Sequence, residues 1–259
     1  MPPASDGDTP PVPSAPPPHL AISVVMPAYN ESAFLGTAVT EVVAGLRDAS
    51  DPFEVLVVEN GSRDDTAAVA DRLAAEHPEV RALHLPDPDY GAALRAGLLA
   101  ARGEVVVNFD VDYYDLGFVA RARDRLGAPD HPAVVVGSKR AAGAEDHRAW
   151  GRRFVTGVFA GVLRVGFGLG VSDTHGMKVL RRAAVEPHAR RCRSGTDLFD
   201  TELVLRVERA GLRAVELPVV VAERRPSRSP IWRRVPRTLG GLLRLRMRAW
   251  SDSSLRRSR

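Results

Sequence analysis

The segment ISVVMPAYNE at residues 22–31 starts as an apolar run and ends in polar residues. Short β-branched runs of the same kind recur at residues 53–58, 80–85, 104–109 and 133–137. Runs that are apolar throughout are typical of strands covered on both faces, as in a parallel sheet. Because helical stretches separate them, the pattern predicts an α/β fold with a mostly parallel central sheet and helices on both faces.

The stretches between these runs have helical spacing. The first places apolar residues three and four positions apart, at Leu35, Val39, Val42, Val43 and Leu46. This periodicity predicts one buried helix face. The second helix is expected to open at Ser62 or Asp64. Further along we expect a strand near residues 177–180, a helix from about residue 197 to 210 and a strand at 214–221.

Composition divides the chain of 259 residues into three regions. Residues 1–19 are predicted to be disordered, because eight of the 20 prolines fall in the first 18 positions. Residues 20–223 carry the alternating pattern and form the predicted domain. Residues 224–259 hold 12 arginines and one acid, a charge of +11, which leaves −7 for the rest of a chain whose total is +4. The single cysteine, Cys192, excludes an intrachain disulfide.

The arginine-rich region has the composition of an amphipathic helix at an anionic membrane surface. Its apolar residues are predicted to share one helix face, at Leu239, Leu242, Leu243, Met247 and Trp250. The alternative is a solvated helix with a small stripe that faces the core. The apolar segment at residues 150–171 is expected to be an interfacial or core helix. These patterns predict a cytoplasmic protein, peripheral on the inner face of the cell membrane. Nucleic acid is not an expected partner, because only this region is basic and no known binding motif interleaves it.

Polar residues follow several of the predicted strands, at the edge where ligands bind in open α/β sheets. Asp110 and Asp112 come directly after the fourth run. Side chains two apart on an extended segment point the same way, so this pair would hold one Mg²⁺ or Mn²⁺ together with a diphosphate. The alternative interpretation is that the aspartates cap the next helix or line a solvated turn.

Eight segments in this order resemble the family 2 glycosyltransferases, which have the nucleotide-sugar-binding fold called GT-A. The first four are residues 24–31 (VVMPAYNE), 59–66 (ENGSRDDT), 90–97 (YGAALRAG) and 110–112 (DVD). The last four resemble the branch of dolichol-phosphate or polyprenyl-phosphate sugar synthases, at residues 137–140 (GSKR), 173–178 (DTHGMK), 199–203 (FDTEL) and 216–219 (ELPV). The resemblance implies a GT-A fold and a metal-dependent, inverting transfer of a hexose from a nucleotide diphosphate sugar.

The resemblance also assigns roles residue by residue. Asp112 would be the direct metal ligand, and Asp110 would orient the sugar or a metal-bound water within the same metal site. The donor would be bound by residues of the first four segments, namely Pro27, Tyr29, Glu31, Glu59, Asn60, Gly91, Arg95 and Asp110. The family usually has two aspartates where this chain has Glu59 and Asn60. One charge is thereby removed, and both UDP-glucose and GDP-mannose are candidate donors.

The acceptor decides which further residues act. A polyprenyl or dolichyl phosphate is already an oxyanion at neutral pH and needs no general base, and Lys139, Arg152 and Arg153 would bind it. A soluble or glycan hydroxyl would need a carboxylate to take its proton, and Asp200 would be that base with Glu202 behind it. A third hypothesis is a non-catalytic nucleotide-binding protein. The predicted catalytic residues are Asp112, Asp200 and Lys139.

Overall fold

The computed structural model describes residues 20–141, 143–146, 157, 161, 163–195, 198–221 and 240–247. The strands within these residues are β1 (Ile22–Ala28), β2 (Phe53–Asn60), β3 (Val80–Leu85), β4 (Val105–Asn108), β5 (Val134–Ser138), β6 (Glu145–Asp146), β7 (Lys178–Arg181), β8 (Ala214–Pro218) and β9 (Val220–Val221). The helices are α1 (Ser32–Asp48), α2 (Thr66–Glu76), α3 (Tyr90–Ala100), α4 (Leu116–Leu126), α5 (Arg182–Arg191) and α6 (Phe199–Arg209). Residues 240–247 form a C-terminal helix.

Seven of these strands form one sheet in the order β3-β2-β1-β4-β7-β5-β8, and β6 pairs with β9 separately. Neighbours in the large sheet are parallel except for β7, which is antiparallel to both β4 and β5. The predicted mostly parallel sheet is therefore confirmed. The reversal of β7 has a consequence for the site, because it brings the first residue of β7, Lys178, beside Asn108 at the carboxyl end of β4.

Both faces of the sheet are covered, as predicted. Helices α1, α2 and α4 pack on one face, around buried residues such as Leu35 and Phe118. Helices α3, α5 and α6 pack on the other, around Leu94 and Leu203. The apolar stripe predicted for α1 is buried along its length. The sequence therefore specifies the layers of the fold through its apolar periodicity.

Two elements differ from the sequence predictions in ways that affect the site. Strand β2 continues to Asn60, because Glu59 and Asn60 still pair with His84 and Leu85 of β3. Helix α5 has no counterpart in the prediction, because Pro187 stands inside it and half of its residues are polar. It packs beside α3, a contact that the sequence did not predict.

The C-terminal helix at residues 240–247 does not form the single apolar face predicted for it. Leu242 and Leu245 are buried in the same core cluster as α3 and α6. Leu243 and Met247 point outward and are 62% and 57% exposed. The predicted face is split because one side of the helix completes the core. The other residues of that face, Leu239 and Trp250, lie outside the described residues.

Of the helices that the structure describes, none combines the length and the apolar composition needed to cross a bilayer. The predicted disordered segment 1–19, half of the region at 150–171 and most of the region at 224–259 fall outside the described residues. The proposed division into three regions stays a prediction.

Candidate active site

The polar ends of β1, β2 and β4 meet at one edge of the sheet. Strand β1 lies between the other two, with Ala28 in register with Glu59 and Val25 in register with Asn108. The three strands are parallel, so the loops that follow them emerge side by side. The candidate residues that end these strands are thereby brought together.

Hydrogen bonds tie the loop after β1 to the loop after β2. The backbone N–H of Asn30 donates to Ser62 Oγ at 3.0 Å, and that of Glu31 donates to Thr66 Oγ1 at 2.7 Å. Asn30 has a φ of 54°, in the left-handed region that asparagine tolerates better than most residues. The predicted donor residues Tyr29 and Glu31 are half-buried on this joined pair of loops.

Gly61 is the tightest point of the second loop. Its φ is 67°, and a Cβ at this position would lie 2.7 Å from the carbonyl oxygen of Pro86. Glycine alone meets both requirements without strain. The loop after β2 therefore packs closely on the segment that leads into α3.

Glu59 is held within the protein by two partners. It is 5% exposed, and its carboxylate accepts a hydrogen bond from the Ser62 N–H and lies 3.4 Å from His84 Nδ1. The other ring nitrogen of His84 lies 2.8 Å from Asp71 Oδ1. The hydrogen bond to Asp71 raises the pKa of His84 in spite of partial burial, and Glu59 adds to the effect. The glutamate thus reaches a histidine on β3, and its predicted contact with the nucleotide stays a prediction.

Asn60 joins β1 to the start of α3. In the orientation that satisfies its amide, the side chain donates to the Ala28 carbonyl at 2.8 Å and accepts from the Asp89 N–H at 3.3 Å. Asp89 caps α3 by accepting from the Ala92 N–H at 2.9 Å. Gly91, another predicted donor residue, is buried in the first turn of that helix. Asn60 therefore fixes where α3 begins relative to the sheet edge.

Asp110 and Asp112 lie on a tight turn, which corrects the extended geometry expected from their spacing. Asp110 and Tyr113 exchange both backbone hydrogen bonds, at 3.2 and 3.1 Å, so that Val111 and Asp112 form the tip. The two carboxylates are nevertheless close enough to interact. Burial is the main cause of the raised pKa of Asp110, and the charge of Asp112 raises it further.

Tyr90 connects α3 to this turn. Its hydroxyl donates to Asp110 Oδ1 at 2.7 Å. Burial, followed by the charges of Asp110 and neighbouring carboxylates, raises the pKa of Tyr90, so the hydroxyl keeps its proton at neutral pH. One oxygen of Asp110 is therefore held in a fixed position by α3.

A buried ion pair lies on the same face of the sheet. Lys178 is 1% exposed and Asp200 is 3% exposed. Lys178 Nζ lies 3.0 Å from Asp200 Oδ1 and donates to the Gly176 carbonyl at 2.9 Å. Lys178 is in register with Asn108, the last residue of β4, which stands two residues before Asp110. Asp200 is thus a paired, interior carboxylate, and its predicted role as a base is taken up below.

Glu202, in the same first turn of α6 as Asp200, holds a loop together. Its carboxylate accepts from the backbone N–H groups of Arg193 and Ser194 at 3.0 and 2.7 Å, and from Arg206 Nε at 2.8 Å. Burial opposes ionisation, but these hydrogen bonds outweigh it and lower the pKa of Glu202. Glu202 therefore acts as a structural anion.

Lys139 follows β5 and reaches the turn that carries Asp112. Its Nζ lies 5.8 Å from the centroid of the Tyr113 ring, a distance at which the ammonium interacts with the ring face. The other predicted acceptor residues, Arg152 and Arg153, lie outside the described residues. Of the three residues predicted to bind the acceptor phosphate, Lys139 is therefore the one that the structure describes, and it lies beside the turn.

Arg95 binds the end of a neighbouring helix. Its Nε donates to the Ala189 carbonyl at 3.2 Å and its Nη2 to the Arg190 carbonyl at 3.1 Å. These carbonyls end α5, where the helix dipole places partial negative charge. The diphosphate contact of Arg95 stays a prediction, and its contact with α5 was not predicted from the sequence.

Comparison with known sequences identifies the family. The sequence model described as Glycosyl transferase family 2 matches residues 23–188, which is more than half of the chain. The chain belongs to glycosyltransferase family 2. It is a glycosyltransferase, and the predicted resemblance is confirmed.

Relatives of this family 2 protein come from distant organisms. Glycosyltransferase AglD of Haloferax volcanii is 33% identical over 203 residues, 76% of this chain and 32% of that protein. An uncharacterized glycosyltransferase of Mycobacterium tuberculosis is 35% identical over 213 residues, 82% of this chain and 89% of that protein. Dolichyl-phosphate beta-glucosyltransferase ALG5C of Trichomonas vaginalis is 31% identical over 221 residues, 78% of this chain and 64% of that protein. The chain thus spans about a third of AglD and nearly the whole of the mycobacterial relative.

Solved structures show the same fold at lower identity. Glucosyl-3-phosphoglycerate synthase from Mycobacterium tuberculosis, in complex with Mn²⁺, UDP-glucose and phosphoglyceric acid, matches with a TM-score of 0.66 at 22% identity, over 88% of this chain and 80% of that chain. A mannosyltransferase from Pyrobaculum calidifontis, in complex with GDP-Man and Mn²⁺, matches with a TM-score of 0.59 at 24% identity, over 91% and 65%. These similarities support the GT-A fold.

The oxygen ligands at the turn fit a hard divalent cation. In the described part of the chain there is no group of three or more His, Cys, Asp and Glu side chains arranged to hold a metal. Asp110 and Asp112 offer two carboxylates; burial is the main cause of the raised pKa of Asp110, and the negative charges of Asp112 and Asp200 add to it. Mg²⁺ is commonly bound by one or two carboxylates, with substrate phosphates and water at the other positions. The donor set is thus of the kind that such a cation takes.

Two residues of this edge, Tyr90 and Lys178, were absent from the predicted site. Tyr90 is the first residue of the family-like segment at 90–97, from which only Gly91 and Arg95 were predicted as site residues. Lys178 is one of only two lysines in the chain, the other being Lys139. That rarity, in a chain with 36 basic residues, was a usable signal.

Proposed function

We propose that this glycosyltransferase moves a hexose from a nucleotide diphosphate sugar to a polyprenyl or dolichyl phosphate at a membrane surface, with inversion at the anomeric carbon and with Mg²⁺ or Mn²⁺. The observation that carries the proposal is the buried ion pair of Lys178 and Asp200. Lys178 is paired with Asp200, the carboxylate that a hydroxyl acceptor would need as its base.

The argument concerns the fate of the acceptor proton. A hydroxyl acceptor must lose a proton as it attacks, so a carboxylate has to receive it. Protonation of Asp200 would leave the ammonium of Lys178 buried without its counter-ion, which is costly. Glu202 is tied to Arg206 in the same way. A phosphate acceptor attacks as an oxyanion and needs neither carboxylate.

The names of relatives support this acceptor. ALG5C and ALG5A of Trichomonas vaginalis are called dolichyl-phosphate beta-glucosyltransferases, at 31% and 30% identity. UDP-glucose is therefore the first donor to test and GDP-mannose the second. The structural neighbour crystallised with phosphoglyceric acid is only 22% identical, so it carries less weight for the acceptor.

Each part of the edge has a proposed task. Asp112 and Asp110 would hold the cation, which when bound neutralises the charge that develops on the leaving nucleoside diphosphate. The hydroxyl of Tyr90 keeps Asp110 in place. Lys139 would bind the acceptor phosphate, together with Arg152 and Arg153. The donor would lie against Pro27, Tyr29, Glu31, Glu59, Asn60 and Gly91.

The C-terminal helix supplies a candidate contact with the membrane. Its outward side carries Leu243 and Met247, and Arg244 and Arg246 are exposed beside them. Apolar residues flanked by arginines suit the boundary between headgroups and acyl chains of an anionic bilayer. We propose that this side seats the protein on the inner face of the cell membrane.

The test compares matched acceptors. The purified full chain is given UDP-glucose or GDP-mannose, Mn²⁺ and liposomes that contain either a polyprenyl phosphate or the free polyprenol of the same length. Transfer to the phosphate but not to the alcohol is expected. Transfer only to the alcohol or to a soluble hydroxyl would replace the proposal with the hydroxyl alternative. No turnover with any acceptor, by folded protein that binds a donor, would favour the non-catalytic hypothesis.

A pair of variants ties the activity to the turn. Asp112→Asn should abolish turnover while the protein stays folded. Asp115→Asn makes the same chemical change three residues later, where the side chain caps α4 through the Phe118 N–H at 3.0 Å. Asparagine is an equally good cap, so this control should keep both stability and activity. Equal activity of the two variants would count against the proposed metal site.

A further inference from the structure

We infer that Asp200 neutralises the buried Lys178 ammonium, so that Asp110 and Asp112 attract a divalent cation with their full negative charge. The inference rests on the proposed function, in which Asp110 and Asp112 hold that cation. The pair has no net charge, so ionised Asp110 and Asp112 keep their combined charge of −2, and Lys139 beside the turn is unchanged in every variant below. The pair thus acts as a fixed electrostatic support that does not itself contact the cation.

The placement of the pair supports this role. Lys178 stands beside Asn108, the last residue of β4, and Asp110 follows two residues later, where the turn begins. Burial dominates the environment of Asp110, and the charges of Lys178 and Asp200 both act on it with opposite sign. Charges in a poorly hydrated region interact over longer distances than they do in water. The pair is therefore near enough to Asp110 to affect what binds there.

Asp200 is the main counter-ion of Lys178. Both polar side-chain atoms of Asn108 are buried and have no hydrogen-bond partner among the described residues. Lys178 also donates to the Gly176 carbonyl. Gly176 is packed so tightly that a Cβ would lie 2.1 Å from the Gly137 carbonyl oxygen. The ammonium is thus held between Asp200 and a tightly packed backbone carbonyl.

Stability alone is a weak reason for such a pair. Replacing a buried ion pair by apolar residues of similar volume is often neutral or stabilising, because the cost of removing both ions from water offsets their attraction. Two lysines in the whole chain, one of them buried here, also indicate a specific requirement. An electrostatic task at the adjacent carboxylates explains why charged residues are placed in this position.

Two variants separate the charge from the shape. Asp200→Asn leaves the Lys178 ammonium without its counter-ion and changes the summed charge of Asp110, Asp112, Lys178 and position 200 from −2 to −1, so Mn²⁺ should bind at least about tenfold more weakly. The double variant Lys178→Met/Asp200→Asn restores −2 with no buried ion, and methionine nearly matches lysine in volume. Its Mn²⁺ affinity should lie within about threefold of the unmodified protein.

The experiment measures Mn²⁺ binding directly, by electron paramagnetic resonance of free Mn²⁺ titrated into the full chain at pH 7.5. The inference is overturned if Asp200→Asn binds Mn²⁺ as well as the unmodified protein does. It is also overturned if the double variant binds as weakly as the single one, because Asp200 would then act as a ligand or a structural residue. Failure of the unmodified protein to bind Mn²⁺, or equal binding by Asp112→Asn, overturns the proposed metal site and the inference with it.

Folding of each variant is checked by circular dichroism and urea denaturation. Asp200→Asn carries the greater risk, because it leaves a buried ammonium unpaired. Should it fail to fold, Lys178→Met tests the same charge from the other side. Removal of the Lys178 ammonium in this variant should tighten Mn²⁺ binding at pH 8 by about tenfold. Unchanged or weaker Mn²⁺ binding would overturn the inference.

Discussion

The two carboxylates Glu202 and Glu186 allow burial to be tested separately from pairing. Glu202 is 1% exposed and pairs with Arg206, whose side chain is 4% exposed. Glu186 lies on α5 and pairs with Arg182 at 3.1 Å and Arg190 at 2.6 Å, but these arginines are 33% and 60% exposed. Substitution by glutamine removes the same charge at both positions and nearly keeps the shape.

The expected losses of stability differ because only one of the unpaired arginines, Arg206, lies in the interior, away from water. Glu202→Gln strands the guanidinium of Arg206 in the interior, and breaking a buried pair costs about 3–5 kcal/mol. Glu186→Gln breaks surface pairs, which contribute about 0–1 kcal/mol. At about 2–4 °C per kcal/mol for a domain of this size, Tm should fall by roughly 6–20 °C in the first variant and by at most about 4 °C in the second.

Urea denaturation at pH 7 and moderate salt measures both variants against the unmodified protein. The pH dependence gives a second measurement. Burial raises the pKa of Glu202, but hydrogen bonds from Ser194, Arg206 and Arg193 outweigh it, so the folded-state pKa is lowered from 4.5. The contribution of the carboxylate is therefore present above the unfolded-state pKa and is lost as pH falls through the folded-state value. Losses within 1 kcal/mol of each other at pH 7 would refute the reasoning.

Three further predictions concern other parts of the domain. Gly176→Ala should destabilise the protein by about 1–3 kcal/mol in urea denaturation, because the new Cβ would overlap a backbone carbonyl. Gly36→Ala, where the new Cβ would have no atom within 4 Å, should be neutral or stabilising. Equal effects of the two substitutions on stability would contradict the packing argument. The pKa of His84, measured by NMR, should lie above 6.5 and fall in Asp71→Asn, because the Asp71 hydrogen bond is the largest cause of the increase; its contribution to stability is complete below 6.5 and lost as pH rises through the folded-state pKa. Cys192 is buried, which raises the pKa of its thiol, so a thiol reagent should label it only at the rate of unfolding, and rapid labelling of the native protein would be evidence against the packing there.

The layers of the fold were predictable because apolar periodicity is local. The predicted bounds of β3 agree with the structure, and the stripe of α1 is buried as its spacing indicates. The turn at Asp110 was not predictable in the same way. Phe109 and Val111 are both buried, so the alternation typical of a strand continues past the point where the strand ends. The sequence therefore identifies two neighbouring carboxylates but predicts the wrong backbone geometry for them.

The contacts of Arg95, Lys178 and Asp200 join distant segments and were not predicted from the sequence. Arg95 lies 94 residues from Ala189, whose carbonyl it binds. The helix that supplies this carbonyl was not predicted, because it contains Pro187. Lys178 and Asp200 carry no local pattern that predicts their pairing. Such pairs depend on which helix packs on which strand, and spacing along the chain does not specify it.

The proposed membrane contact and the proposed lipid acceptor support each other through α6. Gly241, on the C-terminal helix, lies against Leu198, so closely that a Cβ would be 2.0 Å from its Cδ1. Leu198 precedes Asp200 by two residues, and Leu243 is on the outward side of the same C-terminal helix. A helix with its side chains is about 10–12 Å across, and an interfacial helix is buried by about 5–10 Å. A bilayer that seats the outward side would therefore hold its phosphates about one helix width from the buried pair. A lipid phosphate could then approach the turn from the headgroup layer, whereas a soluble acceptor gains nothing from this arrangement.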